Sequence, residues 1–352
     1  MAIENGVKGV ILTENKDECY EEQKEIMNTS KEGRLKCEIV DKDKFGHCIP
    51  EDLDKKIDEA LEYIFSYKKE RLFMENKNIE IKKNITDLFN KVSAVFDSSG
   101  PRIFAYFGER LVQLAGVVEG EKVLDVASGK GASLFLAAEK VCENGKVIGI
   151  DIAEGMVNET NLEIQKRGIK NTKVVVMDAE NLDFNSGTFD HILCGFGVFF
   201  FPDYKIAFNE FMRVLKNGGR FSFTTFLRKE DEKFMWLDDL VQKYLPECED
   251  ELDEYQEEES PEFHTEEGLY KILKGAGFKN MQVISEEKDF IYKDEQEWWD
   301  KLWTHGYIKV LEMIPEDRMG DFKTEVFERL REIKEAEGIV ATMSVLYAFG
   351  EK

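Results

Sequence analysis

Strand-length apolar runs alternate with helix-length segments from residue 123 to residue 226, and this pattern constrains the chain most. Val123–Val126 precedes a helix predicted over Ala132–Val141, and Val147–Ile150 precedes one over Met156–Arg167. Val174–Met177, Phe189–Cys194 and Phe221–Phe226 read as further strands, with a helix over Ile206–Leu215 before the last. Asn217-Gly218-Gly219 should stop that helix, since glycine tolerates the left-handed backbone of a C-cap. Regular βα alternation closes as a mostly parallel sheet with helices on both faces.

The flanks read differently. Val7–Leu12 suggests a short strand, and Glu51–Phe73 has apolar residues at helical spacing, with Pro50 placed to start the helix. Two helices are expected between Ile81 and Leu114, broken at Ser98-Ser99-Gly100-Pro101. Beyond the sheet, Glu247–Glu267 is densely acidic and reads as a solvated loop or short helical segment. A helix over Leu269–Gly275, a strand over Met281–Tyr292, a Trp-rich helical insertion over Asp294–Ala336 and a last strand over Val340–Phe349 complete the chain. The late order of strand, insertion and strand suggests an antiparallel edge. The domain expectation is an accessory region over 1–80, a helical lid over 81–120, a core over 121–292, a helical cap over 293–338 and a final core strand over 339–352.

With 352 residues and 42% hydrophobic content, the chain can bury a sizeable core. Its net charge of −24 argues against nucleic-acid backbone and anionic lipid as partners. The six cysteines, Cys19, Cys37, Cys48, Cys142, Cys194 and Cys248, form no Cys-x-x-Cys pair and no metal spacing with histidine. No metal is expected. The start lacks the basic and apolar regions of a signal peptide, and no apolar stretch could span a bilayer. A reduced, cytoplasmic location is the expectation. The oligomeric state is not readable.

The chemistry concentrates at strand ends. Val123-Leu124-Asp125-Val126-Ala127-Ser128-Gly129-Lys130-Gly131 is a buried strand carrying an acid, followed by a glycine turn. Twenty residues beyond Gly131, the next strand ends at Asp151, and the third ends at Asp178. Gly129 and Gly131 let backbone approach a ligand where a Cβ would clash. A carboxylate at a strand end beside such a turn suits a ribose diol. A dinucleotide site also places an acid about 20 residues past its glycines. Here the turn lacks the third glycine of G-x-G-x-x-G, Asp125 would repel a pyrophosphate, and Asp178 has no counterpart in that pattern.

The run Asp125–Gly131, Asp151-Ile152, Met177-Asp178-Ala179-Glu180 and Arg213-Val214-Leu215-Lys216-Asn217-Gly218-Gly219-Arg220, in that order, resembles the class I S-adenosylmethionine-dependent methyltransferases. The resemblance covers roughly residues 90–227 and is nearest to the ubiquinone/menaquinone methyltransferases and related natural-product enzymes. It implies an α/β fold, a Rossmann-like doubly wound sheet, with S-adenosyl-L-methionine as cofactor and S-adenosyl-L-homocysteine as product. It further implies that the Ala127 carbonyl accepts from the cofactor's amino group, with Asp125 assisting through water, beside Ser128, Gly129 and Gly131. Alanine at 127 departs from the glycine common there. Asp151 would accept from both ribose hydroxyls, Ile152 and Met156 would pack on adenine, and Asp178 would accept from the adenine amine. Ala179 N–H would reach a ring nitrogen, next to Glu180. Cys194, Gly195 and Phe196 would place backbone beside the methionine moiety.

For the acceptor, Phe196 and Phe199 follow the fourth strand at the carboxyl edge of the sheet. Trp299 and Trp303 lie in the inserted cap; core packing is the alternative for both pairs. His305 is the candidate catalytic base, against a structurally satisfied histidine. Thr265 reads as an N-cap beside His264. The expected reaction is methyl transfer by in-line displacement to a small molecule, first to a hydroxyl oxygen of a secondary metabolite. The alternatives are a carbon of a quinone-like or aromatic ring, or a cofactor-binding module without transfer.

Overall fold

The computed structural model describes residues 10–14, 36–40, 53–229, 231–246 and 261–352, with side chains from residue 73 onward. The start of the Val7–Leu12 strand, Pro50, most of the acidic Glu247–Glu267 segment and Cys19, Cys48 and Cys248 lie outside the described residues. The chain divides into two units, at Glu80 and Ile81. In the first, β1 (Val10–Glu14) and β2 (Lys36–Val40) pair in parallel, Val10 opposite Lys36.

Helix α1 runs from Leu53 to Val92 without interruption, where two separate helices were expected over this span. Its sequence holds neither glycine nor proline, so nothing forces a break. The break expected at Ser98-Ser99-Gly100-Pro101 does fall between helices: α2 (Ile103–Ala115) starts after Pro101 and ends on Gly116 at φ +67°. The core then alternates as β3 (Lys122–Val126), α3 (Leu134–Val141), β4 (Lys146–Asp151), α4 (Glu154–Arg167), β5 (Thr172–Val176) and β6 (Phe189–Gly195). It continues through α5 (Tyr204–Val214), β7 (Leu215–Phe226), α6 (Trp236–Tyr244), α7 (Glu266–Gly275) and β8 (Lys279–Tyr292). The cap is α8 (Glu295–Leu302), α9 (Ile308–Met313) and α10 (Glu316–Ile333), before β9 (Ile339–Glu351).

Among the described residues, seven strands form one sheet in the order β5-β4-β3-β6-β7-β9-β8. The first five are parallel to their neighbours, and β9 runs antiparallel between β7 and β8, so the antiparallel pairing sits at one end of the sheet. Val123, Leu124, Val126 and Ile150 are fully buried, as strands covered on both faces require.

The Asn217-Gly218-Gly219 segment does not cap α5. The helix stops at Val214, and Leu215 already pairs with Phe189. Gly218, at φ +75°, sits in a bulge before pairing resumes at Arg220 opposite His191. Leu215 is fully buried, so the sheet claims it before a helix end can form.

Thr265 caps α7, its hydroxyl accepting from Gly268 N–H, and His264 Nδ1 lies 3.0 Å from the Phe226 carbonyl. In the cap, Trp298 stacks on Phe234 with ring centroids 5.8 Å apart, and Trp299 packs against Phe322 and Phe327. No helix of the described residues is long and apolar enough to cross a membrane.

Candidate active site

Parallel pairing of β3 with β4 places Asp125 opposite Gly149 and brings the glycine turn beside the end of β4. The turn is pinned by Ser128 N–H donating to the Ile150 carbonyl at 2.9 Å and by Gly131 N–H donating to the Ser128 carbonyl at 2.8 Å. Gly129 adopts φ +49°, and a Cβ there would enter open space. Gly131 has a different reason: at φ +82°, a Cβ would meet the Phe135 ring at 2.6 Å. Ala127 occupies the left-handed region at φ +51° despite its Cβ, which costs about 1 kcal/mol.

Asp151 ends β4 almost fully buried. One carboxylate oxygen accepts from Gly129 N–H and the other from Ala153 N–H, each at 2.9 Å. Each oxygen keeps a second lone pair. Burial raises the Asp151 pKa, opposed by the backbone donors of Ala153, Gly129 and Ile152. Asp125 lies completely buried beneath the turn, held by Ser133 Oγ at 2.8 and 2.9 Å. Burial pushes its pKa up to about 7; the Ser133 bond opposes this and the Asp151 charge adds to it. Burial thus disfavours the ionised form of two acids near adjoining strand ends, and a cationic ligand would favour it.

Asp178 and Glu180 are joined by a residue from α1. Lys82 Nζ donates to Asp178 at 2.7 Å and to Glu180 at 2.6 Å. Burial works against the Lys82 charge, and the two carboxylates outweigh it, raising its pKa.

These groups line one side of a cavity of about 520 Å³, a volume usual for small-molecule sites. The other side is aromatic. Phe196, leaving β6 at φ +55°, packs on Phe226 at 4.6 Å and on Phe104 at 5.3 Å between centroids. A bulky residue in that region stores strain, a feature that clusters at functional sites. Phe96 stacks on Phe104, and both rings contact His305.

His305 is buried. Its Nδ1 lies 2.7 Å from the Lys301 carbonyl and 2.9 Å from Thr304 Oγ1; with that hydroxyl donating to the same carbonyl at 2.9 Å, the assignment that satisfies every contact puts the proton on Nδ1 and leaves Nε2 its lone pair. Nε2 makes no hydrogen bond and sits 3.8 Å from Asp97 Oδ1.

Ala127, Ser128, Gly129, Asp151, Ile152, Met156, Asp178, Ala179, Glu180, Gly195, Phe196, Phe199 and His305 all line this one cavity. Asp125 and Gly131 support it from beneath, and Cys194 is buried, its thiol close under Gly197. Trp299 and Trp303 do not line it. They pack on each other at 6.1 Å, and Trp299 faces the α10 residues Phe322 and Phe327, because the cap needs an apolar interior of its own. Sequence reading missed Lys82, Phe96, Asp97, Phe104 and Lys301, all cavity residues. Phe104 falls in one of the two helices expected between Ile81 and Leu114, but a helix assignment does not tell core from cavity; the lysines carried no signal at all.

Residues 75–288 match the model of the ubiE/COQ5 methyltransferase family. The aklanonic acid methyltransferase DauC of Streptomyces sp. (strain C5) is 42% identical over 144 residues, 41% of this chain and 66% of that protein. The nocamycin O-methyltransferase of Saccharothrix syringae is 35% identical over 137 residues, 39% of this chain and 49% of that protein. This chain therefore spans less than two thirds of the length of either. A demethylmenaquinone methyltransferase of Staphylococcus saprophyticus is 30% identical over 220 residues, 58% of this chain and 91% of that protein. The family match covers more than half of the chain and includes β3 to β7 with every strand-end acid described above, so the chain belongs to the ubiE/COQ5 methyltransferase family, within the class I S-adenosylmethionine-dependent methyltransferases.

Proposed function

We propose that this chain moves the methyl group of S-adenosylmethionine to a hydroxyl oxygen of a small, partly apolar acceptor. The observation that carries the reading is the shared cavity: strand-end acids and a glycine turn on one side, an aromatic chamber containing His305 on the other. The residues present fit the cofactor. The open space over Gly129, the free lone pairs of Asp151 and the buried, unpartnered Ser128 hydroxyl suit a polar, diol-bearing ligand. Ile152 and Met156 offer apolar surface for a base, with Asp178 and Ala179 at its rim. When bound, S-adenosylmethionine supplies a methyl already activated on a sulfonium.

The chain's task is then to orient the acceptor, exclude water and remove one proton. The Lys301 carbonyl holds His305 so that the Nε2 lone pair can take the hydroxyl proton. Asp97, 3.8 Å away, would stabilise the imidazolium that results. The name of the nocamycin relative supports oxygen as the accepting atom. The name of the demethylmenaquinone relative supports a quinone-like acceptor, the second reading; transfer to a ring carbon would give a C–CH₃ rather than an O–CH₃ carbon resonance in the product. A small-molecule acceptor rather than nucleic acid is supported by the net charge of −24, and a reducing, cytoplasmic location by the free thiols of Cys142 and Cys194.

Incubation with S-adenosylmethionine labelled in its methyl group and a cell extract tests the proposal. Label in a small organic product is the expected result. Label confined to protein or RNA would overturn it, and tight S-adenosylhomocysteine binding with no transfer to any acceptor would leave a binding module.

A further inference from the structure

The cavity is lined by several cations, and most are already paired. Lys82 holds Asp178 and Glu180, Lys130 holds Glu159 at 3.1 Å, and Arg102 reaches Asp97 at 3.4 Å. Lys301 differs. It lines the cavity, yet its ammonium forms no hydrogen bond or ion pair with any described residue. Its ammonium lies over the Tyr292 ring, with Nζ 5.9 Å from the centroid. Asp97 is the nearby acid, and it is engaged by Ala105 N–H at 3.2 Å and by Arg102.

Surrounding protein pushes the Lys301 pKa down to about 8, with the Asp97 charge opposing. The ammonium thus remains mostly protonated at neutral pH. A charge held in such surroundings without a counter-ion is unfavourable, and an anion delivered by a ligand removes that cost. Lys301 also stands four residues before His305, whose ring bonds to the Lys301 carbonyl, so the cation and the imidazole belong to one turn of chain.

We infer that Lys301 is the counter-ion for an anionic group on the acceptor, which makes the substrate class an aromatic or otherwise apolar hydroxy acid, most simply one bearing a carboxylate. This rests on the reading that the aromatic side of the cavity takes the acceptor. The carboxylate pairs with Lys301 and fixes the molecule, while a separate hydroxyl faces His305 Nε2. Lys301 is a positioning and specificity residue, not a catalytic one.

The probes are 3-hydroxy-2-naphthoate and its uncharged analogue 3-hydroxy-2-naphthamide, titrated into the protein with S-adenosylhomocysteine bound. The acid should bind at least tenfold more tightly than the amide. In Lys301→Met that ratio should fall towards one while the S-adenosylhomocysteine Kd stays unchanged; Lys301→Arg should keep a preference for the acid. A ratio of one in the unaltered protein overturns the inference without any variant, and so does a ratio that survives in Lys301→Met. Methyl transfer is scored separately on the same compounds. A preserved acid preference with no transfer would count against the proposed reaction and leave the anion subsite standing.

Discussion

Asp151 does two things with one carboxylate: it closes the glycine turn through Gly129 and Ala153, and it offers its remaining lone pairs to the cavity. Asp151→Asn keeps the shape and removes one acceptor and the charge. S-adenosylhomocysteine binding should weaken by roughly 1.5–3 kcal/mol, about tenfold to a hundredfold in Kd by calorimetry; an unchanged Kd would place the ribose elsewhere. Asp125 gives a pH signature. Its pKa is raised to about 7 in the folded protein from an ordinary 3.8. The sign follows: this group's contribution to stability is complete below about pH 4 and is lost as pH rises through about 7. A cationic ligand nearby favours the ionised form, so cofactor binding near pH 6 should release a proton. Calorimetry in buffers of different ionisation enthalpy reads that number directly; zero protons would mean Asp125 is already ionised. The strand-end acids were legible in the sequence because an apolar run that stops at a carboxylate can stop in few places. Lys82 and Lys301 were not legible, because a lysine on a helix is usually solvated and only the fold sets these two beside a cavity.

At the scale of elements, the segment following α8 holds the most specific expectation. His305 lies between α8 and α9, with its tautomer set by the Lys301 carbonyl. His305→Ala should lower kcat by at least ~100-fold, the usual range for a lost general base, with S-adenosylhomocysteine affinity unchanged. A kcat within threefold of the unaltered protein would leave His305 with a packing role against Phe96 and Phe104. Element types were readable from periodicity, while their joins were not. The unbroken α1 followed from the absence of a breaker, yet separate stretches of apolar spacing suggested two helices. The glycine pair after α5 looked like a helix cap and became a bulge, because Leu215 is committed to pairing with Phe189. Trp299 and Trp303 illustrate the same limit. Aromatic clustering marked an anchor, and only the packing showed that Trp299 holds the cap to its own helix α10 while Trp303 packs on the cluster of Leu88, Val92, Ala153, Met156 and Ile308.

At the scale of the molecule, the net charge of −24 should make stability depend on salt. Raising ionic strength from about 0.01 to 0.15 M shortens the screening length from about 30 to 8 Å and weakens long-range self-repulsion. The Tm should rise by a few degrees; a fall would mean that the surface ion pairs outweigh the repulsion. The sequence by itself determined the sheet, the order of its βα units and the acids at its carboxyl edge. Those features follow from local periodicity and from the few ways a chain can turn beside a strand end. Tertiary structure alone decided which aromatic rings face the cavity, which lysines are paired and where His305 points. These depend on residues far apart in the chain meeting across a shared space, and no local pattern encodes that meeting.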